Sequence, residues 1–157
     1  MITINLVCVG NLKEKFLVDG YNEYKKRLSI FCKFNLIELK ETNYANPSPG
    51  EIEKIKLEEG KRILERIKKN NVLLDINSKE YSSEEFAELI SKKQNEGISE
   101  ITFIIGGSYG VSTEVKERVR EKISFSKMTF PHGLMRVIFV EQLYRAFTIL
   151  NNKGYHK

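Results

Sequence analysis

The segment Ile101 to Gly110, ITFIIGGSYG, runs an apolar stretch directly into three glycines. Ile101, Phe103, Ile104 and Ile105 have the β-branched and aromatic content of a strand buried on both faces, and Gly106, Gly107 and Gly110 permit positive φ and close backbone approach. A ligand can therefore lie against bare main chain. Ser112 then offers a helix N-cap with Glu114 in the first turn, which brings free N–H groups and a positive dipole end close by. An ordinary strand-to-helix turn would look the same locally. A second group of residues capable of chemistry sits in the stretch Leu134 to Leu150, where Arg136, Glu141, Gln142 and Arg145 interrupt an otherwise apolar surface. Charges held there must be paired or face a cavity. Glu141 and Arg145, four apart on a helix, suit a structural ion pair or a substrate-facing role equally.

The elements that must position these residues follow from periodicity. Ile2 to Val9 reads as a first strand stopped by Gly10, and Phe16 to Phe31 as a helix carrying Leu17, Tyr21, Tyr24 and Leu28 on one side. The turn between them, Gly10-Asn11-Leu12, lacks the GxGxxG fingerprint of a dinucleotide-binding domain. Cys32 to Leu39 is a second strand. Ser48-Pro49-Gly50-Glu51 and Ser82-Ser83-Glu84-Glu85 are capping boxes that open the second and third helices, the first of them with proline at the first helical position. Val72 to Ile76 is a third strand, and Gly97 ends the third helix. Val115, Val119 and Ile123 mark a fourth helix, Phe125 to Phe130 a short fifth strand, and Leu134 to Leu150 a last helix. Strand and helix alternate throughout, which predicts an α/β fold with a mostly parallel sheet and helices on both faces. The last helix is apolar on nearly all sides, which favours half core and half subunit interface over a wholly internal position.

Composition sets wider bounds. A length of 157 residues fits a single domain, residues 1-157, and 26 Lys plus Arg against 21 Asp plus Glu give a net charge of +5, a mild excess compatible with a polyanionic partner. The basic residues of the second helix read as a solvated face more readily than as a nucleic-acid patch. Cys8 and Cys32 have neither metal-ligand spacing nor the number for a disulfide framework, so a reducing cytoplasmic compartment and no metal are expected. No run has the length of a membrane span, and no membrane association is expected.

From Phe103 onward, FIIGGSYG followed by SFSKMTFPHGLMRVIFVEQLYRAFTILNNKGYHK, the sequence resembles the ribosomal RNA large subunit methyltransferase H family, within the SPOUT class of trefoil-knot methyltransferases. The opening strand, GYNEYKKRL, EGKRIL and VLLDINSK extend the similarity over essentially the full length. The resemblance implies a C-terminal trefoil knot, a homodimer packed through its last helix, and S-adenosylmethionine as cofactor. It implies a pseudouridine in helix 69 of 23S ribosomal RNA as substrate, methylated at N3 in the assembled ribosome. Carried over residue by residue, it assigns cofactor contacts to Leu74, Gly106, Phe125, Ser126, Lys127, Met128, Thr129 and Phe130. Core packing is the plain alternative for the aromatic and Met positions. Ser78 and Gly133 depart from the family's pattern, standing where a glycine and a larger residue are usual.

The implied reaction needs donor and acceptor held in line and a proton released from a nucleobase nitrogen. His132, His156, Glu141 and Arg136 are the candidates for base or for stabilising the anionic base, and the residue types do not choose among them. His132 is equally suited to capping the helix that follows. Arg145, Tyr155 and Lys157 are candidates for RNA contact, with the tail leaving the last helix at Asn151, Asn152 and Gly154. Without the resemblance two other classes stand: a non-catalytic ribosome- or RNA-binding α/β module, and a nucleotide-binding enzyme using the glycine loop. Gly110-Val111-Ser112 lacks the lysine that a phosphate loop wants.

Overall fold

A computed structural model describes residues 1–157. The chain runs β1 (Thr3–Val9), α1 (Lys15–Leu28), β2 (Lys33–Leu39), α2 (Pro49–Leu64), β3 (Asn71–Leu74), α3 (Ser83–Asn95), β4 (Glu100–Ile105), α4 (Thr113–Arg118), β5 (Glu121–Ile123) and α5 (His132–Leu150). The strands form one sheet in the order β2-β1-β4-β3-β5, and every neighbouring pair is parallel. The strict alternation of strand and helix has this consequence, because a parallel neighbour is reached only by a crossover.

Alternate residues of the strands serve opposite layers. Ile4, Leu6 and Cys8 of β1 and Ile101, Phe103 and Ile105 of β4 pack with Tyr21 of α1, Phe86 and Ile90 of α3, and Phe139 and Leu143 of α5. Val7, Val9, Leu73 and Ile104 face the other way, onto Ile63 of α2 and Val115 of α4. Both capping boxes form: Ser48 and Ser82 accept the N–H groups of Glu51 and Glu85, whose carboxylates return to the N–H groups of the two serines. Gly97 leaves α3 at φ +83, and Ser112 caps α4 by accepting the N–H of Val115. No helix is long and apolar enough to cross a membrane.

Two expectations from periodicity are corrected. The fourth helix stops at Arg118: Val119 is its extended C-cap, and Ile123 belongs to β5, paired with Leu74. Apolar residues four apart were shared between a short helix and the strand after it. Phe125 to Phe130 is not a strand, since β5 ends at Ile123. Local side-chain bonds divert this backbone from a ladder: Ser124 Oγ donates to the carbonyl of Ser126 and accepts its N–H, and Ser126 Oγ accepts the N–H of Met128.

The parallel strands point their carboxyl ends to one edge. There the segments after β1, β2, β3 and β4 meet the segment that leads into α5, which is where open α/β sheets bind ligands.

Candidate active site

The glycine loop lines a cavity of 830 Å3, together with Leu74 to Asn77 at the end of β3 and Thr129 to His132 at the start of α5. A smaller, more apolar cavity of 90 Å3 adjoins it, sharing Leu74, Asp75, Ile105, Thr129 and Phe130 and adding Phe125, Ser126 and Met128. Of the three glycines, only Gly110 takes positive φ, at +86. Gly106 is glycine for another reason: a Cβ there would meet Val111 Cγ1 at 2.6 Å and the Gly110 carbonyl carbon at 3.2 Å, so the loop closes on itself through this position. A Cβ on Gly107 would meet Glu59 Oε1 at 2.6 Å. Glu59 is buried, and its other oxygen accepts the Thr42 N–H at 3.0 Å. Burial pushes its carboxyl pKa up, against the lowering effect of the Thr42 hydrogen bond.

His132 is the first residue of α5 and lines the large cavity, with Nδ1 3.4 Å from Ser108 Oγ of the glycine loop. It does not cap α5: Pro131 holds the N-cap position, with no side-chain bond. Arg136, one turn on, is 1 % exposed and lies beneath the edge, with one nitrogen 2.6 Å from Glu38 Oε2 and another donating to the Gly10 carbonyl at 2.9 Å. Glu141 accepts from Arg145 Nε at 3.1 Å and from the Tyr155 hydroxyl at 2.9 Å. The His156 ring bridges Arg145, at 3.0 Å, to Glu84 of α3, at 2.7 Å. With arginine able only to donate, Nδ1 accepts and Nε2–H donates to the carboxylate. The tail therefore folds back onto its own α5, leaving the helix through Asn152 at φ +51. Glu141, Arg145 and His156 form this cluster; none of them lines the glycine-loop cavity. Lys157 is exposed at the end of the chain.

The architecture matches that of a probable methylase family protein from Haemophilus influenzae Rd KW20 with a TM-score of 0.58, over 98 % of this chain and 70 % of that one, at 12 % identity. A family model described as a predicted SPOUT methyltransferase matches residues 2–156. Proteins named ribosomal RNA large subunit methyltransferase H are 49 % identical in Carboxydothermus hydrogenoformans and 50 % in Clostridium novyi, covering 98 % and 99 % of this chain and 99 % and 100 % of those proteins. The chain belongs to this SPOUT methyltransferase family.

Within this SPOUT chain, Leu74, Gly106, Phe125, Ser126, Met128, Thr129 and Phe130 are brought together on the two adjoining cavities, although they come from three separate segments. Phe125 also stacks on Phe139 and meets Phe86 edge-on, so it belongs to the aromatic core as well as to the cavity wall. Lys127 lies outside both cavities, exposed and 3.7 Å from Glu80. Sequence reasoning missed Asp75, Ile76, Ser108, Tyr109, Lys56 and Lys116, which line the large cavity. Asp75 carried a signal, as a lone charge at the carboxyl end of an apolar strand. The two departures from the family pattern have local accounts. Ser78 Oγ donates to the Asp75 carbonyl at 2.6 Å and closes the turn after β3. Gly133 lies under Leu12 and Leu17, whose methyl groups would be 3.3 and 3.2 Å from a Cβ there. Cys8 and Cys32 are buried free thiols, their pKa values pushed up to about 12 chiefly by burial, and neither touches the site.

Proposed function

We propose that this chain is an S-adenosylmethionine-dependent methyltransferase that modifies N3 of a pseudouridine in helix 69 of 23S ribosomal RNA, in assembled ribosomes in the cytoplasm. The observation that carries this reading is the convergence of three segments, 74–77, 105–111 and 129–132, on one 830 Å3 cavity in a chain of the SPOUT methyltransferase family. The names of its relatives point to large-subunit ribosomal RNA as the substrate.

The residues present fit the cofactor. The cavity is of the size that holds ligands of this class, and it combines an apolar recess with backbone carbonyls and N–H groups from the glycine loop. Leu74, Met128 and Phe130 would enclose the adenine, and the main chain of Gly106 and Gly107 would hold the polar groups of the nucleoside. The bound cofactor supplies a methyl group on a sulfonium, already a good leaving group. The protein's work is to hold the acceptor in line and to take the N3 proton. His132 is the candidate for that proton, because it alone of the four acid–base candidates lines the cavity. Ser108 Oγ lies 3.4 Å from Nδ1, and with Nδ1–H donating to it Nε2 would be free to take the proton. Arg136 is a positioning residue, holding the Gly10 carbonyl from below.

In the same reading the whole chain acts as one domain, the segment before α5 is threaded between the loops after β3 and β4 as a trefoil knot, and two copies pack through α5. Calorimetry with S-adenosylmethionine and tritium transfer into intact ribosomes, run beside free 23S RNA, test it. Ribosome-dependent incorporation supports the reading. Absence of both binding and incorporation overturns it.

A further inference from the structure

The carboxyl edge holds a second cavity, of 380 Å3, over the ends of β1 and β2. Lys13, Lys40, Glu41 and Asn43 wall it, and Pro131 and His132 close its far side. The same Pro131 and His132 wall the glycine-loop cavity, so the two spaces meet across His132. Unlike the apolar recess beside β3, this one is polar and charged. Lys13 and Lys40 are exposed and make no ion pair.

Glu41 is half-buried, and its carboxylate has neither a hydrogen-bond donor nor a cation beside it, although lysines stand in the same wall. It converges with His132 on the space above Gly10: a Cβ on Gly10 would lie 3.0 Å from Glu41 Oε2 and 3.7 Å from His132 Nε2. Gly10 has φ +87, a conformation that other L residues rarely adopt, so the floor of the cavity is kept bare by the backbone itself. Arg136 holds that floor through the Gly10 carbonyl, and buried Glu59 holds the wall through the N–H of Thr42, next to Glu41. The cavity is thus fixed from beneath while its polar groups are left free.

Resting on the methyl-transfer reading above, we propose that this second cavity receives the acceptor nucleotide. Glu41 accepts the N1–H of the pseudouridine and leaves N3 to His132, Asn43 donates to a flanking carbonyl, and Lys13 and Lys40 meet the adjacent phosphates. A ring N–H is a donor that the unpartnered carboxylate of Glu41 complements, while Glu14, the other carboxylate of the lining, is exposed. A base drawn out of its stack is read in such a pocket, while phosphate contacts set its register. His132 then stands where acceptor and cofactor spaces touch.

Three variants test this, each checked for native circular dichroism and S-adenosylmethionine affinity. Lys13→Ala with Lys40→Ala is expected to raise the KM for ribosomes about tenfold and to flatten its salt dependence, with cofactor affinity unchanged. Lys13→Arg with Lys40→Arg should restore both. Glu41→Gln is expected to lower kcat/KM for ribosomes about 100-fold with cofactor affinity near wild type. Wild-type kcat and KM in the alanine pair and in Glu41→Gln would overturn the acceptor cavity while leaving the methyl-transfer reading in place. Loss of cofactor affinity in Glu41→Gln would also overturn it, by assigning Glu41 to the other cavity. A wild-type protein that neither binds cofactor nor transfers methyl would overturn both.

Discussion

Glu59 shows how a residue outside the cavity sets its shape. Its Oε1 has no partner and presses against Gly107, while its Oε2 ties the loop after β2 through Thr42. Because burial raises the folded-state pKa, the fold binds this proton more tightly than the unfolded chain does. The resulting stabilisation is fully present below the ordinary carboxylate pKa and is lost as pH rises through the raised value. Glu59→Gln cannot ionise, so its gain in Tm over wild type should be larger at about pH 8 than at about pH 4 in thermal unfolding. An equal difference at both would show that folding leaves the Glu59 carboxyl pKa unchanged. Arg136 is the counterpart cation. Arg136→Ala removes the partner of Glu38 and the donor to the Gly10 carbonyl, and denaturant unfolding should show a loss of about 3 kcal/mol. A loss below about 1 kcal/mol would mean that the pair merely offsets its own desolvation.

At the scale of elements, α5 and the tail form one unit. Tyr155 packs edge-on against Tyr144 with ring centroids 4.8 Å apart, its hydroxyl bonds Glu141, and the Arg145 guanidinium lies 4.8 Å over its ring. An extended tail of this length could have reached well beyond the helix, yet the aromatic and ionic contacts fold it back. Tyr155 and His156 thereby stand with Arg145 on the same face of the chain. Deleting Tyr155 to Lys157 should leave S-adenosylmethionine affinity within about twofold, because none of these residues lines the cofactor cavity. Methyl transfer to ribosomes should nevertheless fall strongly, since the deletion removes an aromatic ring and two basic groups suited to RNA. Wild-type turnover by the truncated protein would make the tail a packing element alone.

For the whole molecule, the apolar residues of α5 exceed what one core covers. Phe139, Val140, Leu143, Ala146 and Phe147 are buried against the sheet and its flanking helices, and Val137 and Tyr144 pack against the same core, whereas Leu134 and Ile138 are half-buried outside it. This leaves an apolar strip on α5, which a second copy of the chain would match by two-fold symmetry. Light scattering at micromolar concentration should therefore give the mass of two chains, and the mass of one would sink this expectation. The same symmetry would provide a route by which the tail cluster of one chain meets the cavity of another.

The local order was legible in the sequence because it rests on local physics. Ser48 to Glu51 and Ser82 to Glu85 start helices through their own side chains, and the run Ile101 to Ile105 is a strand because both of its faces are apolar. The β-α alternation then forces the parallel sheet and brings the glycine loop to its carboxyl edge. Apolar spacing could not separate α4 from β5, since Val119 and Ile123 satisfy both patterns, and the serine bonds that keep residues 125–130 out of the sheet leave no periodic trace. The sequence also left the four acid–base candidates equivalent. Only the tertiary structure set His132 at the cavity, Arg136 beneath it and Glu141 with His156 in the tail cluster, because each position depends on partners far away in the chain: Ser108, Gly10 and Glu84.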